Sequence, residues 1–96
     1  MNMSYILKLQ DFITDEMQDY DFYTQLASLA PDAEQKAIIT GMAKDELSHA
    51  ESFQKIYKQM TGTCYAPHLC AVTLDGTYDE ILVSRVFNET RDYEKY

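Results

Sequence analysis

Residues 41–60, GMAKDELSHAESFQKIYKQM, have the pattern of one helix whose apolar side chains recur at spacings of three and four. Residues spaced in this way lie on one face of an α-helix. The same face, followed without a change of spacing, also contains Glu46 and His49. Because an unpaired buried carboxylate costs several kcal/mol, this helix needs a counter-charge close to its apolar face. That requirement limits the possible folds more than any other feature of the chain.

Three helices are predicted, at about 5–29, 33–60 and 78–96, with a connector over 61–77. Helix-breaking and capping residues mark the boundaries: Pro31, Asp32, Gln35, Gly62, Thr77 and Glu80. The short turn between the first two helices predicts an antiparallel hairpin. The connector is too long for a tight hairpin and predicts a crossover to the third helix. We expect a single domain over residues 1–96.

Each predicted helix carries one apolar stripe in which spacings of three and four alternate. The stripes are Leu9, Ile13, Glu16, Tyr20, Tyr23 and Ala27 in the first helix, Ile39, Met42, Glu46, His49, Phe53, Ile56 and Met60 in the second, and Leu82, Val86, Glu89, Tyr93 and Tyr96 in the third. This alternation is typical of helices that cross at about 20°, as in four-helix bundles. The predicted fold class is therefore all-α, a helical bundle.

The third helix is similar to the first. A shift of 73 positions aligns DEMQDYDFY at 15–23 with NETRDYEKY at 88–96, so that Glu16 meets Glu89 within both stripes. Four polar residues thus interrupt the apolar stripes: Glu16, Glu46, His49 and Glu89. The third helix therefore has the pattern of a second copy of the first.

A metal ion is the predicted counter-charge for these groups. All eight Lys and Arg residues lie off the stripes, so a basic side chain is not expected to neutralise the carboxylates. Glu46 and His49 are three residues apart and therefore neighbours on the helix surface. Oxygen and imidazole ligands together suit Fe, Mn or Zn. The alternative interpretation is that these side chains face solvent, with Glu89 in a structural role.

The chain resembles the ferritin-like di-iron carboxylate family, nearest its short rubrerythrin-type members. The resemblance lies in Glu16 followed by Tyr23, in DELSHA at 45–50, and in Glu89 followed by Tyr96. It implies a left-handed crossover bundle with a two-iron site that oxidises ferrous iron or reduces peroxide or dioxygen. It also implies that Glu16, Glu46, His49 and Glu89 are metal ligands, and that Tyr20 and Tyr23 hydrogen-bond a ligating carboxylate. The alternatives are a non-catalytic metal-binding or storage subunit and a metal-free helical interaction module.

The chain also departs from that family. It supplies three Glu and one His where a complete member has four Glu and two His, and it has neither a fourth helix nor rubredoxin-like Cys-x-x-Cys pairs. Two explanations stay open: two chains pair their first hairpins, or a fourth helix has been lost. Both leave apolar stripes exposed, so we expect a homodimer or higher oligomer.

Charge and hydropathy limit the other partners. The net charge of −8 argues against nucleic acid and anionic membrane surfaces. No apolar run of 18 residues is present, so no membrane span is predicted. The N-terminus lacks the pattern of a secretion signal, which makes the cytoplasm the expected location.

Cys64, His68 and Cys70 form a second cluster of potential ligands, in CYAPHLC at 64–70. These residue types bind zinc, but a spacing of five residues between two cysteines is uncommon in zinc sites. Ordinary loop thiols are the preferred interpretation.

Overall fold

A computed structural model describes residues 3–85 of the chain. Helix α1 spans Met3–Ser28 and helix α2 spans Ala33–Thr61. Residues 78–85 are also helical and are called α3. The described range contains no strand, which confirms the all-α fold class; a fourth helix is not seen in this range. The predictions for the end of the third helix concern residues outside it: Val86, Glu89, Tyr93 and Tyr96.

Helices α1 and α2 form a hairpin, and α2 is capped at both ends as the sequence predicts. Asp32 has an extended backbone, and its carboxylate accepts a hydrogen bond from the Gln35 N–H at 2.8 Å. Gly62 adopts the left-handed conformation, with φ of 87°, and its N–H donates to the Lys58 carbonyl oxygen. A residue with a side chain would be strained at this φ. The caps therefore fix where α2 begins and ends.

Replacing Asp32 with alanine is expected to lower the free energy of unfolding by about 1 kcal/mol, because an N–H at the start of α2 loses its acceptor. Denaturant unfolding followed by circular dichroism measures the change. Asp32→Asn keeps a capping oxygen and serves as the control. Equal losses in the two variants would contradict a capping role.

The core consists of two apolar clusters at opposite ends of the hairpin. The cluster near the turn contains Tyr23, Leu26, Ala27, Ile39, Ala43 and Tyr78. The cluster near the open end contains Ile6, Leu9, Ile13 and Tyr57. Glu16 and Glu46 lie between the two clusters along their helices. Each end of this central segment is therefore flanked by side chains that exclude water.

The structure corrects the predicted stripe of α2. Five of its members lie on or beside the observed packing face, namely Ile39, Met42, Glu46, Phe53 and Met60, but the fully buried residues between them are Ala43, Ala50 and Tyr57. Ile56 is exposed, as is the side chain of His49. The predicted stripe and the observed face both alternate spacings of three and four from Ile39, but the predicted stripe begins with a spacing of three and the observed face with a spacing of four. The small alanines occupy the side of the helix that packs against α1, which a search for large apolar residues does not detect.

The connector crosses the length of the hairpin, as predicted for a crossover. Near its start, the side-chain amide of Gln54 binds both the N–H and the carbonyl oxygen of Tyr65, at 2.9 and 2.6 Å. Further along, the amide of Gln18 binds both backbone groups of Cys70, at 3.0 and 2.9 Å. Tyr78 then enters the cluster near the turn. Helix α3 consequently starts at the turn end and runs back along α1.

Within residues 3–85, every helix is too short or too polar to span a lipid bilayer.

Candidate metal centre

The hairpin brings Glu16, Glu46 and His49 together. One potential ligand atom from each lies within 4.8 Å of the others. Glu16 Oε2 lies 3.4 Å from His49 Nδ1. Since metal–ligand bonds are about 2.0–2.2 Å, two ligands of one ion lie at most roughly 4.4 Å apart. The three donors are thus separated by little more than the width of one coordination sphere.

The Glu16 carboxylate is partly buried, and one of its two oxygen atoms has no hydrogen-bond partner. Its side chain is 22% exposed, and Oε2 is fully buried without a hydrogen-bond partner. A buried polar atom of this kind is destabilising and requires an explanation, such as an ion. The His49 side chain, at 57% exposed, lines the open side of the site. A cation seated against these donors would complete the bonding of Oε2, so the residues present fit a metal ion.

The charge balance supports the same interpretation. Burial raises the pKa of Glu46 to about 8, and the neighbouring Glu16 carboxyl group adds to the rise. The metal-free site therefore favours a proton on one of its two carboxyl groups. A metal ion would remove this preference, because its positive charge stabilises both carboxylates.

The two tyrosines predicted to hydrogen-bond a ligating carboxylate follow Glu16 on α1. Tyr23 is almost fully buried, and its hydroxyl oxygen accepts a hydrogen bond from Arg85 Nε at 3.2 Å. Tyr20 packs at the edge of the cluster near the turn. Their hydrogen bonding to a ligating carboxylate stays a prediction. The fourth predicted ligand, Glu89, lies outside the described residues.

One basic residue lies beside the centre, paired with a carboxylate outside the predicted stripes. Arg85 pairs with Asp19, with 2.8 Å between Nη2 and Oδ1, and its positive charge opposes the rise in the pKa of Glu46. The guanidinium lies 5.0 Å from the centre of the Phe22 ring. The pair joins residues that are 66 positions apart in the chain, so the spacing of residues within one helix does not predict it.

Cys64, His68 and Cys70 are not brought together as a ligand group in the described part of the chain. Both cysteines are free and exposed. The connector that carries them is instead held through its backbone by Gln18 and Gln54.

Comparison with known proteins identifies the family of this hairpin. The rubrerythrin family model matches residues 8–69, a range that contains all three grouped donors and both glutamines that hold the connector. No curated protein and no solved structure gives a match. The match extends over more than half of the 96 residues and agrees with the helical hairpin and its carboxylate–histidine group. This chain belongs to the rubrerythrin family.

Proposed function

We propose that this protein binds iron between α1 and α2 through Glu16, Glu46 and His49. The observation that carries the proposal is the buried Glu16 Oε2, which has no hydrogen-bond partner and faces the His49 imidazole. Membership of the rubrerythrin family supports the choice of iron. Manganese and zinc are the alternatives that accept the same ligand types.

Each protein group has a distinct task in this proposal. Glu16 and Glu46 contribute the negative charge, and His49 contributes a neutral nitrogen ligand. The apolar clusters on either side keep water from two sides of the site, while the exposed side of His49 leaves it open to small molecules. Iron held there supplies one-electron redox chemistry toward dioxygen or peroxide. An oxidoreductase of the ferroxidase or peroxidase type is the activity we propose.

A two-iron centre requires more ligands than these three, and we propose that self-association provides them. Ile38 and Ile56 are exposed on α2, on the helix that also carries the open side of His49. A second copy packed on this helix would bury both isoleucines and add another set of three donors. Glu89 is proposed as a further ligand. The molar mass and the number of ions per chain, measured on the same sample, test this assembly.

The second candidate function is a metal-binding or storage subunit without turnover. The small donor set favours it, because three described ligands are fewer than a two-iron centre uses. Such a protein retains metal but accelerates neither the oxidation of Fe²⁺ nor the consumption of peroxide. These two assays on metal-loaded protein separate the candidates.

The proposed site is tested by removing its ligands one at a time. Glu16→Ala and His49→Ala are each expected to weaken Fe²⁺ binding by roughly a hundredfold. Loss of a residue that only supports a ligand already weakens metal binding by about 10–100-fold, and loss of a ligand itself should weaken it at least as much. Anaerobic calorimetric titration measures the affinity. Glu51→Ala removes an exposed carboxylate from α2, the helix that carries His49. It is the matched control and should leave Fe²⁺ binding unchanged. Wild-type affinity in both ligand variants would exclude this site.

A further inference from the structure

The ion pair between Asp19 and Arg85 borders the candidate centre without being part of its three donors. Asp19 follows Glu16 by three residues, so the two side chains are neighbours on α1, with Cβ atoms about 5–6 Å apart. The negative charge of Asp19 also acts on Glu46, whose pKa it raises. A cation bound between Glu16 and Glu46 would therefore attract the Asp19 carboxylate as well.

Arg85 is held in place independently of Asp19. Its Nε donates to the Tyr23 hydroxyl at 3.2 Å, and its guanidinium lies over the rings of Phe22 and Tyr23, 5.0 and 5.3 Å from their centres. Tyr23 belongs to the buried cluster near the turn. A planar guanidinium that is stacked and hydrogen-bonded in this way has little freedom to follow a moving carboxylate. The partner of Asp19 is thus anchored to the core.

We infer that Arg85 is a positioning residue of the metal centre, which holds Asp19 in an ion pair and so keeps this carboxylate from coordinating the metal. The inference rests on the metal-binding function proposed above. Arg85 acts in two ways: it limits the carboxylate ligands described here to Glu16 and Glu46, and it adds a positive charge beside the bound cation. Both effects restrain the affinity of the site for divalent cations.

The number of carboxylates also determines which metals the site prefers. Two carboxylates with one imidazole suit Fe, Mn and Zn, whereas sites richer in carboxylate suit the hard cations Ca²⁺ and Mg²⁺. Because Arg85 keeps Asp19 in an ion pair, the metal ligands are two carboxylates and one imidazole, a set that suits Fe, Mn and Zn. Loss of Arg85 is expected to improve Ca²⁺ binding relative to Zn²⁺ binding.

Three variants of the full chain test the inference: Arg85→Gln, Asp19→Asn and the double variant. Calorimetric titration with Mn²⁺ should show about tenfold tighter binding in Arg85→Gln, because a nearby positive charge is removed and Asp19 is released. Asp19→Asn should bind about tenfold more weakly, because the negative charge of Asp19 then no longer offsets the positive charge of Arg85. The double variant should return close to the wild-type affinity. The visible absorption of bound Co²⁺ should report an added oxygen ligand in Arg85→Gln alone.

Two controls accompany these variants. Asp21→Asn removes a carboxylate on the side of α1 opposite Asp19 and should leave the Mn²⁺ affinity close to the wild-type value. Arg85→Lys keeps the positive charge and should remain closer to wild type than Arg85→Gln does. A merely structural role predicts a lower melting temperature in Arg85→Gln without tighter binding, and that result would overturn the inference.

The remaining outcomes are also decisive. If Asp19 already coordinates the metal, the double variant will bind as weakly as Asp19→Asn, which overturns the inference while leaving metal binding intact. If Arg85→Gln does not fold, unchanged Mn²⁺ affinity in Asp19→Asn overturns it on its own. A wild-type protein that binds no metal overturns the proposed function and this inference together.

Discussion

Substitution of Glu46 by glutamine is expected to stabilise the metal-free protein above neutral pH and to abolish its stabilisation by metal. The two effects have one cause. Without a cation, Glu46 and Glu16 place two carboxyl groups in a partly buried site, and burial raises the pKa of Glu46 to about 8. Glutamine has a similar shape and no charge, so it removes the repulsion in the metal-free state and a ligand in the metal-bound state.

The pH dependence follows from the sign of this shift. A carboxyl group whose pKa is raised on folding binds its proton more tightly in the folded state. Its contribution to stability is therefore complete below the unfolded value of 4.5 and is lost as the pH rises through about 8. Because the site is open on one side and solvent screens it, we expect Glu46→Gln to gain about 1–2 kcal/mol at pH 8. The difference from wild type should vanish at pH 4.

The metal-dependent half of the prediction is larger. A metal at one hundred times its dissociation constant stabilises the wild-type protein by about 2.7 kcal/mol. Glu46→Gln should lose most of this gain, since a neutral amide replaces a charged ligand. Melting temperatures with and without Mn²⁺, at pH 6 and pH 8, measure both effects. Glu51→Gln should show neither effect, and a metal-induced shift of wild-type size in Glu46→Gln would contradict the proposed ligand set.

Substitution of Ile13 by alanine is expected to lower the free energy of unfolding by about 2–5 kcal/mol. Ile13 is 0% exposed and lies at the centre of the cluster near the open end, where it packs with Leu9 and Tyr57. Removal of three carbon atoms leaves a cavity that two long helices cannot easily close. Urea unfolding followed by circular dichroism measures the loss.

Two further variants test whether that loss arises from packing. Ile13→Val should lower stability by only about 0.5–1.5 kcal/mol. Leu7→Ala removes a side chain that is 53% exposed on the same helix, and should change stability by less than about 0.5 kcal/mol. Similar losses in Leu7→Ala and Ile13→Ala would contradict the assignment of the packing face of α1.

The chemistry of the candidate site was easier to predict from sequence than the exact face of α2. Glu46 was identified because a carboxylate inside an apolar stripe conflicts with the cost of burial, and this conflict does not depend on neighbouring helices. The choice between Met42 and Ala43, by contrast, depends on how closely α1 approaches. Large side chains dominate hydrophobic patterns, whereas close helix contacts favour alanine. The predicted stripe therefore has the correct spacing but omits Ala43, Ala50 and Tyr57, three of the four buried residues of α2.

Arg85 was missed for a different reason. Its relation to Asp19 and Tyr23 spans more than 60 residues of sequence and arises only after the connector has returned the chain to the turn end. Local spacing on one helix contains no information about such a contact. The fold class, by comparison, follows from helix lengths and capping residues that each act within a few positions.

The hydrogen bonds made by Gln18 and Gln54 have a consequence for how the sequence of the connector can vary. Each glutamine contacts main-chain atoms of the segment that passes over it, as a neighbouring strand would in a sheet. Main-chain atoms are the same in almost every amino acid, so the residue at position 70 is free to change while the path of the segment is kept. Residues inserted between Tyr65 and Cys70 would lengthen a surface loop, and the two pairs of hydrogen bonds would still hold the connector on its path to α3.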